Sequence, residues 1–567
     1  MAVKEIACIH CGNIVSFDDR QFVRYTCPKC YGQIDVAQRV RDLLARNHTL
    51  NGGVLYGLDG YIIQLEARAI SQARPSPWRS NVTISGMATG TVREALDRIS
   101  GAFAKLQIPQ PDVEVLINLV PPDLPKLGTW LDLPLAIIML QAAGILPDLP
   151  DHLEGDYVLM GEIGIHGEVR RVPGALSLAS VAKPGQRLIV PAGNEKECAL
   201  ILAKPGHEGC SVHPVSMLEE VIEFFRGRRT LENALRQTIR FENAIPKAPD
   251  FGLIRGQQRA KRAAVIAAAG GHNLLLIGPP GEGKSLLASA IPGILPRLAN
   301  EEKVQLTRIY SACGELEDDG YAVTRRPMRT VHHTASKQAV VGGGSQIPRP
   351  GEITLAHLGV LFLDEVAEFS RPTLEALRQP LESGEIVISR VGGSLRFPAR
   401  FSLIAAMNPC PCGYYGTDRC GCNPNAIRAY QKKISGPILD RIDLQVQMER
   451  LSTEDRFADV SDGESAKLRA QVEGARKMQE DRFAEQEARF NAAMPSGRIR
   501  EFCNFSPDGF EKFKHVIDTN DLSTRSMDRV AKVARTIADL AQSEQVDAEH
   551  IDEAASFVVG GLLRDAK

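Results

Sequence analysis

Gly278-Pro-Pro-Gly-Glu-Gly-Lys284-Ser285 stands between the apolar run Asn273 to Ile277 and the small-residue run Leu286 to Ile291, and its reading decides the fold. The spacing fits G-x-x-x-x-G-K-[ST], which predicts a strand, a phosphate-cradling loop and a helix. Glycines let backbone N–H groups turn inward around phosphates, Lys284 reaches toward β and γ oxygens, and Ser285 offers a hydroxyl to Mg²⁺. The positive end of the following helix adds to the attraction. Gly278, Pro279, Pro280, Gly281, Glu282, Gly283, Lys284 and Ser285 are therefore a candidate ATP site. A glycine-rich strand-to-helix turn without a ligand has the same pattern, so the context downstream has to decide.

That context is Val360-Leu-Phe-Leu-Asp364-Glu365, a buried strand ending in two carboxylates. This is the Walker B arrangement, in which Asp364 orients the Mg²⁺ shell and Glu365 polarises the attacking water. Phosphoryl transfer depends on such positioning and electrostatics. The alternative, a solvated strand edge, does not account for the phosphate loop upstream.

At 567 residues the chain has room for three or four domains, and its 44% hydrophobic content fills several cores. The most apolar stretch, Leu133 to Leu146, is short and holds Pro134 and Gln141, so no membrane span is expected. The first residues, with Lys4, Glu5 and two early cysteines, lack a secretory apolar region, and the expected location is cytoplasmic. A formal net charge of −2 and a pI near 6.7 give no global attraction to nucleic acid. Any such binding must come from local basic surfaces.

Four of the 12 cysteines open the chain as Cys8-Ile-His-Cys11 and Cys27-Pro-Lys-Cys30. The C-x2-C-x15-C-x2-C spacing predicts a zinc ribbon, because each C-x-x-C turn aims two thiolates at one tetrahedral ion. A segment this short needs such a staple, since its own core is too small. A second group, Cys410-Pro-Cys412 and Cys420-Gly-Cys422, reads either as a metal site or as a tight loop of reduced thiols. Cys198, Cys210, Cys313 and Cys503 are scattered and read as ordinary thiols.

Between the ribbon and the phosphate loop, strand-like segments at Val113 to Val120 and Arg187 to Val190 alternate with helical ones at Leu133 to Ala143 and Met217 to Phe225. Arg226-Gly-Arg-Arg229 and the proline-bearing stretch Phe241 to Pro249 mark a boundary. Farther on, Leu468, Val472 and Ala475 recur at helical spacing in a polar segment, as on a solvated amphipathic helix, and Ala-rich helical patterns close the chain.

The order of Val120-Pro-Pro-Asp-Leu-Pro-Lys126-Leu-Gly128, Leu131-Asp-Leu-Pro134, Gly161-Glu-Ile-Gly164, His332-His333-Thr334, Pro348-Arg-Pro-Gly351-Glu and Ala406-Met-Asn408-Pro-Cys410-Pro-Cys412-Gly resembles the ComM, or YifB, family of magnesium-chelatase-like AAA+ ATPases. The resemblance covers nearly everything after the ribbon, which departs from the family's usual plan. It implies an α/β fold: an AAA+ P-loop ATPase core with a helical lid, preceded by a Lon-protease-like α/β domain and a small zinc ribbon. The expected parts are residues 1–40 for the ribbon, 41–228 for the Lon-like domain, 229–450 for the ATPase core and 451–567 for the lid.

The Lon protease works with a Ser–Lys dyad, and this chain departs from it. Alignment puts Trp130 at the serine and Leu178 at the lysine, neither of which supplies a nucleophile or a base. The resemblance therefore implies a non-proteolytic scaffold. It also implies that Asn408 is sensor 1, that Arg441 in Leu439-Asp-Arg-Ile-Asp443 is an arginine finger acting in trans, and that Arg525 is sensor 2. A finger in trans implies a ring, by resemblance a homo-hexamer.

Ser383 to Pro398 reads as two short strands turning at Gly392-Gly393, a hairpin carrying Arg390 and Arg396. In related motors such a hairpin points into the ring pore, where these arginines would grip DNA phosphates. The expected function is an ATP-driven motor on single-stranded or branched DNA, with ATP, Mg²⁺ and Zn²⁺ as cofactors. A protein-remodelling ATPase and a chelatase-type ATPase subunit remain the alternatives.

Overall fold

The computed structural model describes residues 3–7, 14–18, 24–26, 29, 33–73, 76–86, 90–126, 128–149, 156–236, 248–317, 321–344, 348–390, 393–434, 436–457, 459, 461–484, 486 and 489–559. Cys8, Cys11, Cys27 and Cys30 of the expected ribbon lie outside the described residues. Near them, Val3–Ala7 pairs antiparallel with Ile14–Asp18, and Arg24–Thr26 with Gln33–Asp35. The chain divides into two compact units, Met1–Phe241 with Thr307–Val323, and Glu242–Leu306 with Thr324–Lys567. This division puts residues 307–323 with the first unit, although the sequence reading keeps them inside the ATPase core.

The first unit is built on a seven-stranded sheet in the order Ser211–Val215, Arg187–Pro191, Tyr157–Leu159, His48–Tyr56, Asp59–Gln72, Val113–Val120, Val82–Ser85. Pairing is antiparallel on both sides of Asp59–Gln72 and parallel elsewhere. Burial alternates along Asp59–Gln72, as expected of a strand with one face on a core. The helix Asp132–Ala142 is apolar all round and wholly buried. Its first residue, Asp132, takes a bidentate pair of hydrogen bonds from Arg98 at 2.7 and 2.9 Å, so the one buried charge on it is compensated.

The two positions aligned with the protease dyad sit in one apolar cluster of this unit. Leu178 is buried beside Val172 and Ala175, and Trp130 packs against the same cluster while its indole N–H donates to the Pro173 carbonyl at 2.6 Å. The late segment 307–323 completes the unit. Arg308 pairs with Asp59, Ser311 Oγ donates to the buried Glu197 carboxylate, and the Ser311 carbonyl accepts from Gly174 N at 3.0 Å.

The second unit carries a five-stranded sheet, wholly parallel, in the order Met328–Val331, Val360–Leu363, Ser402–Met407, Leu274–Ile277, Leu444–Gln447. Leu274–Ile277 and Val360–Leu363 are buried at every position, as central parallel strands covered on both faces must be. The first strand of this sheet in sequence thus lies between its last two, so the order reverses beside it. Ligands bind at such switch points, beyond the carboxyl ends of the strands.

The Ala-rich helix Gln258–Gly270 lies in the same core as the carboxy-terminal helices Glu464–Arg482, Thr524–Leu540 and Ala548–Val558. The polar-looking helix Glu464–Arg482 is docked rather than merely solvated. Val472 and Ala475 are buried in that core, Gln479 donates to the Ala269 carbonyl at 3.1 Å, and Arg476 donates to the Ala268 carbonyl at 3.0 Å. Small alanines on the receiving helix let the polar side chains come close enough to reach its carbonyls. Among the described residues no helix is long and apolar enough to cross a membrane.

Candidate nucleotide site

The loop after Leu274–Ile277 wraps back on itself and opens into the helix Lys284–Ala290. Gly281 and Gly283 hold φ at +83° and +88°, the left-handed region that side chains other than glycine's adopt at a cost. A Cβ at either would meet nothing within 4 Å, so backbone conformation rather than space demands glycine there. The Lys284 ammonium donates to the carbonyls of Gly278 at 2.7 Å and Pro279 at 2.8 Å, and to Asn408 Oδ1 at 3.1 Å. Burial pulls its pKa below the ordinary lysine value, against Asp364, Glu282 and Glu365, which favour the charge.

Ser285 Oγ donates to Asp364 Oδ2 at 2.9 Å, so the hydroxyl and carboxylate expected to share a Mg²⁺ shell already adjoin. Hard oxygen donors of this kind suit Mg²⁺, which is bound by one or two carboxylates together with substrate phosphates. Glu365 follows with φ +50° and ψ +47°, a left-handed conformation for a non-glycine residue that costs of order 1–3 kcal/mol. That turn separates its side chain from the strand, and His333 Nδ1 lies 3.2 Å from its Oε2. His333 follows the strand Met328–Val331, which is the parallel neighbour of the Walker B strand.

Together these residues line an open cleft of about 380 Å³, within the usual size for a ligand site. Lys284, Ser285, Asp364, Glu365 and Asn408 all face it, with Pro280, Gly281 and Gly283. Glu282 does not. Its carboxylate accepts from Leu451 N at 3.1 Å and faces Arg456 at 3.5 Å, so it anchors the loop on the side away from the cleft. Gly278 and Pro279 take part through the carbonyls that hold Lys284.

Arg441 and Arg525 do not line this cleft. Arg441 is ion-paired with Glu382, and its guanidinium pKa is lowered by burial and then by Arg378 and Arg525 nearby. The loop carrying it is held from behind. Asn273 Nδ2 donates to the Arg441 carbonyl at 2.7 Å, Arg529 donates to the Leu439 and Ile442 carbonyls at 3.2 and 2.7 Å, and Asp443 lies 3.1 Å from His272. Arg525 is exposed, one residue into the helix Thr524–Leu540 that Ser523 caps.

The expected hairpin is present as Glu385–Arg390 paired antiparallel with Gly393–Pro398. The register sets Arg390 against Gly393, and Arg396 against Val387. The Arg390 side chain and Gly392 lie outside the described residues. Arg396 is 75% exposed and pairs with Glu385 at 3.4 Å, an exposed ion pair of small energy. Cys410, Cys412, Cys420 and Cys422 come together, their sulfurs all within 4.8 Å of one another.

Two residues with a place at the site were not legible in the sequence as such: His333, which carries no role beyond membership of a matched motif, and Asn273, whose Oδ1 also accepts from Leu403 N at 2.8 Å and so ties two strands to the Arg441 loop.

Three family models match the chain: magnesium chelatase, subunit ChlI, over residues 250–456; the ChlI carboxy-terminal domain over 462–557; and subunit ChlI of Mg-chelatase over 74–194. The chain is 41% identical over 478 residues to the YifB protein of Escherichia coli, covering 84% of this chain and 91% of that one. It is 37% identical over 507 residues to the competence protein ComM of Haemophilus influenzae, covering 88% and 95% respectively. A magnesium-chelatase 38 kDa subunit from Cereibacter sphaeroides is 30% identical over 174 residues, only 28% of this chain. With its parallel five-stranded sheet, its phosphate loop and these relatives, the chain belongs to the magnesium-chelatase-like AAA+ ATPase family of YifB and ComM.

Proposed function

We propose that this ATPase is a ring-forming motor that moves along or remodels DNA, with single-stranded or branched DNA as its substrate. The observation that carries the reading is the separation of catalytic parts. Lys284, Ser285, Asp364, Glu365 and Asn408 share one cleft, while Arg441 lies outside its lining, beside Arg378 and Arg525. A half-buried cation on a braced backbone, paired with Glu382 and set beside Arg378 and Arg525, suits a triphosphate brought by a neighbouring subunit. This supports a closed homo-oligomer, which we take to be a hexamer. Lys284 and the loop N–H groups would hold the phosphates of ATP, Ser285 and Asp364 would hold Mg²⁺, and Glu365 would orient the attacking water. Bound Mg²⁺ supplies charge neutralisation at the β and γ phosphates.

The DNA reading rests on the exposed hairpin arginine Arg396 and on similarity to a protein named for competence. We read the first unit as a Lon-like scaffold without peptidase activity, because Trp130 and Leu178 pack as apolar groups. The spacing of Cys8, Cys11, Cys27 and Cys30 supports a zinc ion in the amino-terminal ribbon, and the expected setting is the cytoplasm.

ATPase rate measured without polymer, with single-stranded, duplex and forked DNA, and with unfolded protein tests the reading. Stimulation by DNA is expected, and Arg396→Ala should make log affinity less dependent on log salt by about one phosphate contact. Stimulation by unfolded protein alone would replace this reading with a remodelling ATPase. Response only to a porphyrin-chelating partner subunit would replace it with a chelatase role.

A further inference from the structure

Residues 408–423 follow the strand Ser402–Met407 and form neither helix nor strand before the helix Pro424–Gln431 begins. A structureless loop of this length has no core of its own to hold a shape. Yet it has an exacting position. Its first residue, Asn408, meets Lys284 in the cleft, the Pro409 carbonyl accepts from buried Gln431 at 2.9 Å, and Gly413 abuts the phosphate loop. A Cβ at Gly413 would stand 2.8 Å from Pro280 Cδ, and the residue holds φ at +83°.

Within this loop lie the four converging cysteines. Cys410 is fully buried, Cys420 and Cys422 are half-buried, and Cys412 is exposed. Cys410 Sγ is 3.3 Å from Cys412 Sγ and 3.9 Å from Cys420 Sγ, and Cys412 to Cys420 is 3.8 Å. Disulfide sulfurs stand about 2.05 Å apart, so these are four separate thiols. Sulfurs at the corners of a tetrahedron with metal–sulfur bonds of about 2.3 Å stand about 3.8 Å apart. Two of the three separations meet that edge, and with Cys422 Sγ within 4.8 Å of the others the four sulfurs are grouped closely enough to share a single ion. Backbone N–H groups of Tyr414, Cys422 and Cys412 point at Cys412, Cys420 and Cys422 Sγ respectively.

We propose that Cys410, Cys412, Cys420 and Cys422 bind one zinc ion, and that this ion is the clamp that fixes Asn408 against Lys284. The staple replaces the missing core: two C-x-C turns from the two ends of the loop are tied at one point, two residues from Asn408. The site stands on geometry alone, whereas the clamp rests on the ATPase reading.

In purified, reduced full-length chain carrying Cys8→Ser and Cys27→Ser to remove the ribbon's contribution, elemental analysis should find one zinc per chain. Adding Cys420→Ser and Cys422→Ser should abolish it, whereas Cys412→His should retain it, because imidazole nitrogen is also a zinc ligand. Cobalt exchanged into the chain with its four loop cysteines intact should show the visible absorption of a tetrahedral thiolate site, a readout that disturbs no ligand. Stripping zinc should leave ATP affinity unchanged and lower kcat by about tenfold, restored by added zinc. Absence of metal together with absence of the cobalt thiolate spectrum overturns the site. A stripped chain that hydrolyses ATP at the full rate overturns the clamp. A chain that holds the metal but hydrolyses nothing in any state overturns the ATPase reading and the clamp with it, and leaves the site standing.

Discussion

Replacing Lys284 by methionine tests whether the cleft binds a polyphosphate. The three N–H donors of the ammonium are all engaged, at 2.7, 2.8 and 3.1 Å, with two loop carbonyls and Asn408. A bound triphosphate would draw them to its β and γ oxygens. Methionine keeps the volume and apolar stem but has no charge, which leaves Asp364 and Glu365 facing the phosphates alone. Removing one member of a buried, hydrogen-bonded charge pair costs about 2–5 kcal/mol of binding. At about 1.4 kcal/mol per tenfold, the Kd for MgATP should rise roughly 30-fold to several thousandfold. The fold should survive the loss of the hydrogen bonds to the Gly278 and Pro279 carbonyls and to Asn408, which thermal melting checks. Calorimetric titration with MgATP at fixed ionic strength, alongside thermal melting, gives both quantities. A Lys284→Met chain that melts like wild type and binds MgATP within a few-fold of it would refute the site.

Glu365→Gln should bind MgATP normally and lose at least about a hundredfold in kcat, the usual size of a lost base, so unaltered turnover would remove its role. His333→Ala should lower kcat by about tenfold with KM unchanged, as expected of a residue that orients Glu365, and a shift in KM alone would point elsewhere. Subunits carrying Arg441→Ala, mixed with subunits carrying Lys284→Ala, should regain ATPase activity if each supplies what the other lacks across an interface; no regain at any mixing ratio would sink the shared site. His357, 1% exposed and accepting from Arg400 N at 3.0 Å, has its pKa lowered from 6.5 to about 3 by burial and then by Arg400 and Arg326. The unfolded chain binds this proton below about pH 6.5 and the folded chain does not, so this group's contribution to stability is constant above that pH. It should fall on acidification toward pH 3, by at most about 1.4 kcal/mol per pH unit from this group. Urea unfolding at neutral and mildly acid pH should show a weaker pH dependence in His357→Gln, and an identical dependence would count against the assignment.

The residues of the candidate cleft were readable because nucleotide chemistry would force residue types at fixed spacing along one stretch. Lys284 and Ser285 are adjacent, as are Asp364 and Glu365, and each pair follows an apolar strand. Asn408 had no such spacing and came from resemblance. The contact of His333 with Glu365 depends on two strands being neighbours in a parallel sheet, which no local pattern encodes. Glu282 matched a position where the motif accepts any residue, and there the side chain serves the loop's outer anchorage. The docking of Glu464–Arg482 was hidden for another reason: Gln479 and Arg476 are polar by composition, and only the alanines opposite them make their burial possible.

The first unit is discontinuous in sequence, and this limits how the molecule can be divided for study. A fragment ending at residue 241 would retain Glu197 and Asp59 and lose Ser311 and Arg308. Glu197 is held in a buried site where desolvation already raises its pKa against the hydrogen bonds from Ser311 and Asn194. Deprived of Ser311, its carboxylate would keep the desolvation and forfeit part of the compensation, a loss of about 1–3 kcal/mol. Expression boundaries chosen from motif limits alone would therefore yield a soluble-looking design with a destabilised interior. A fragment that grafts residues 307–323 back through a short linker should behave as the better independent module.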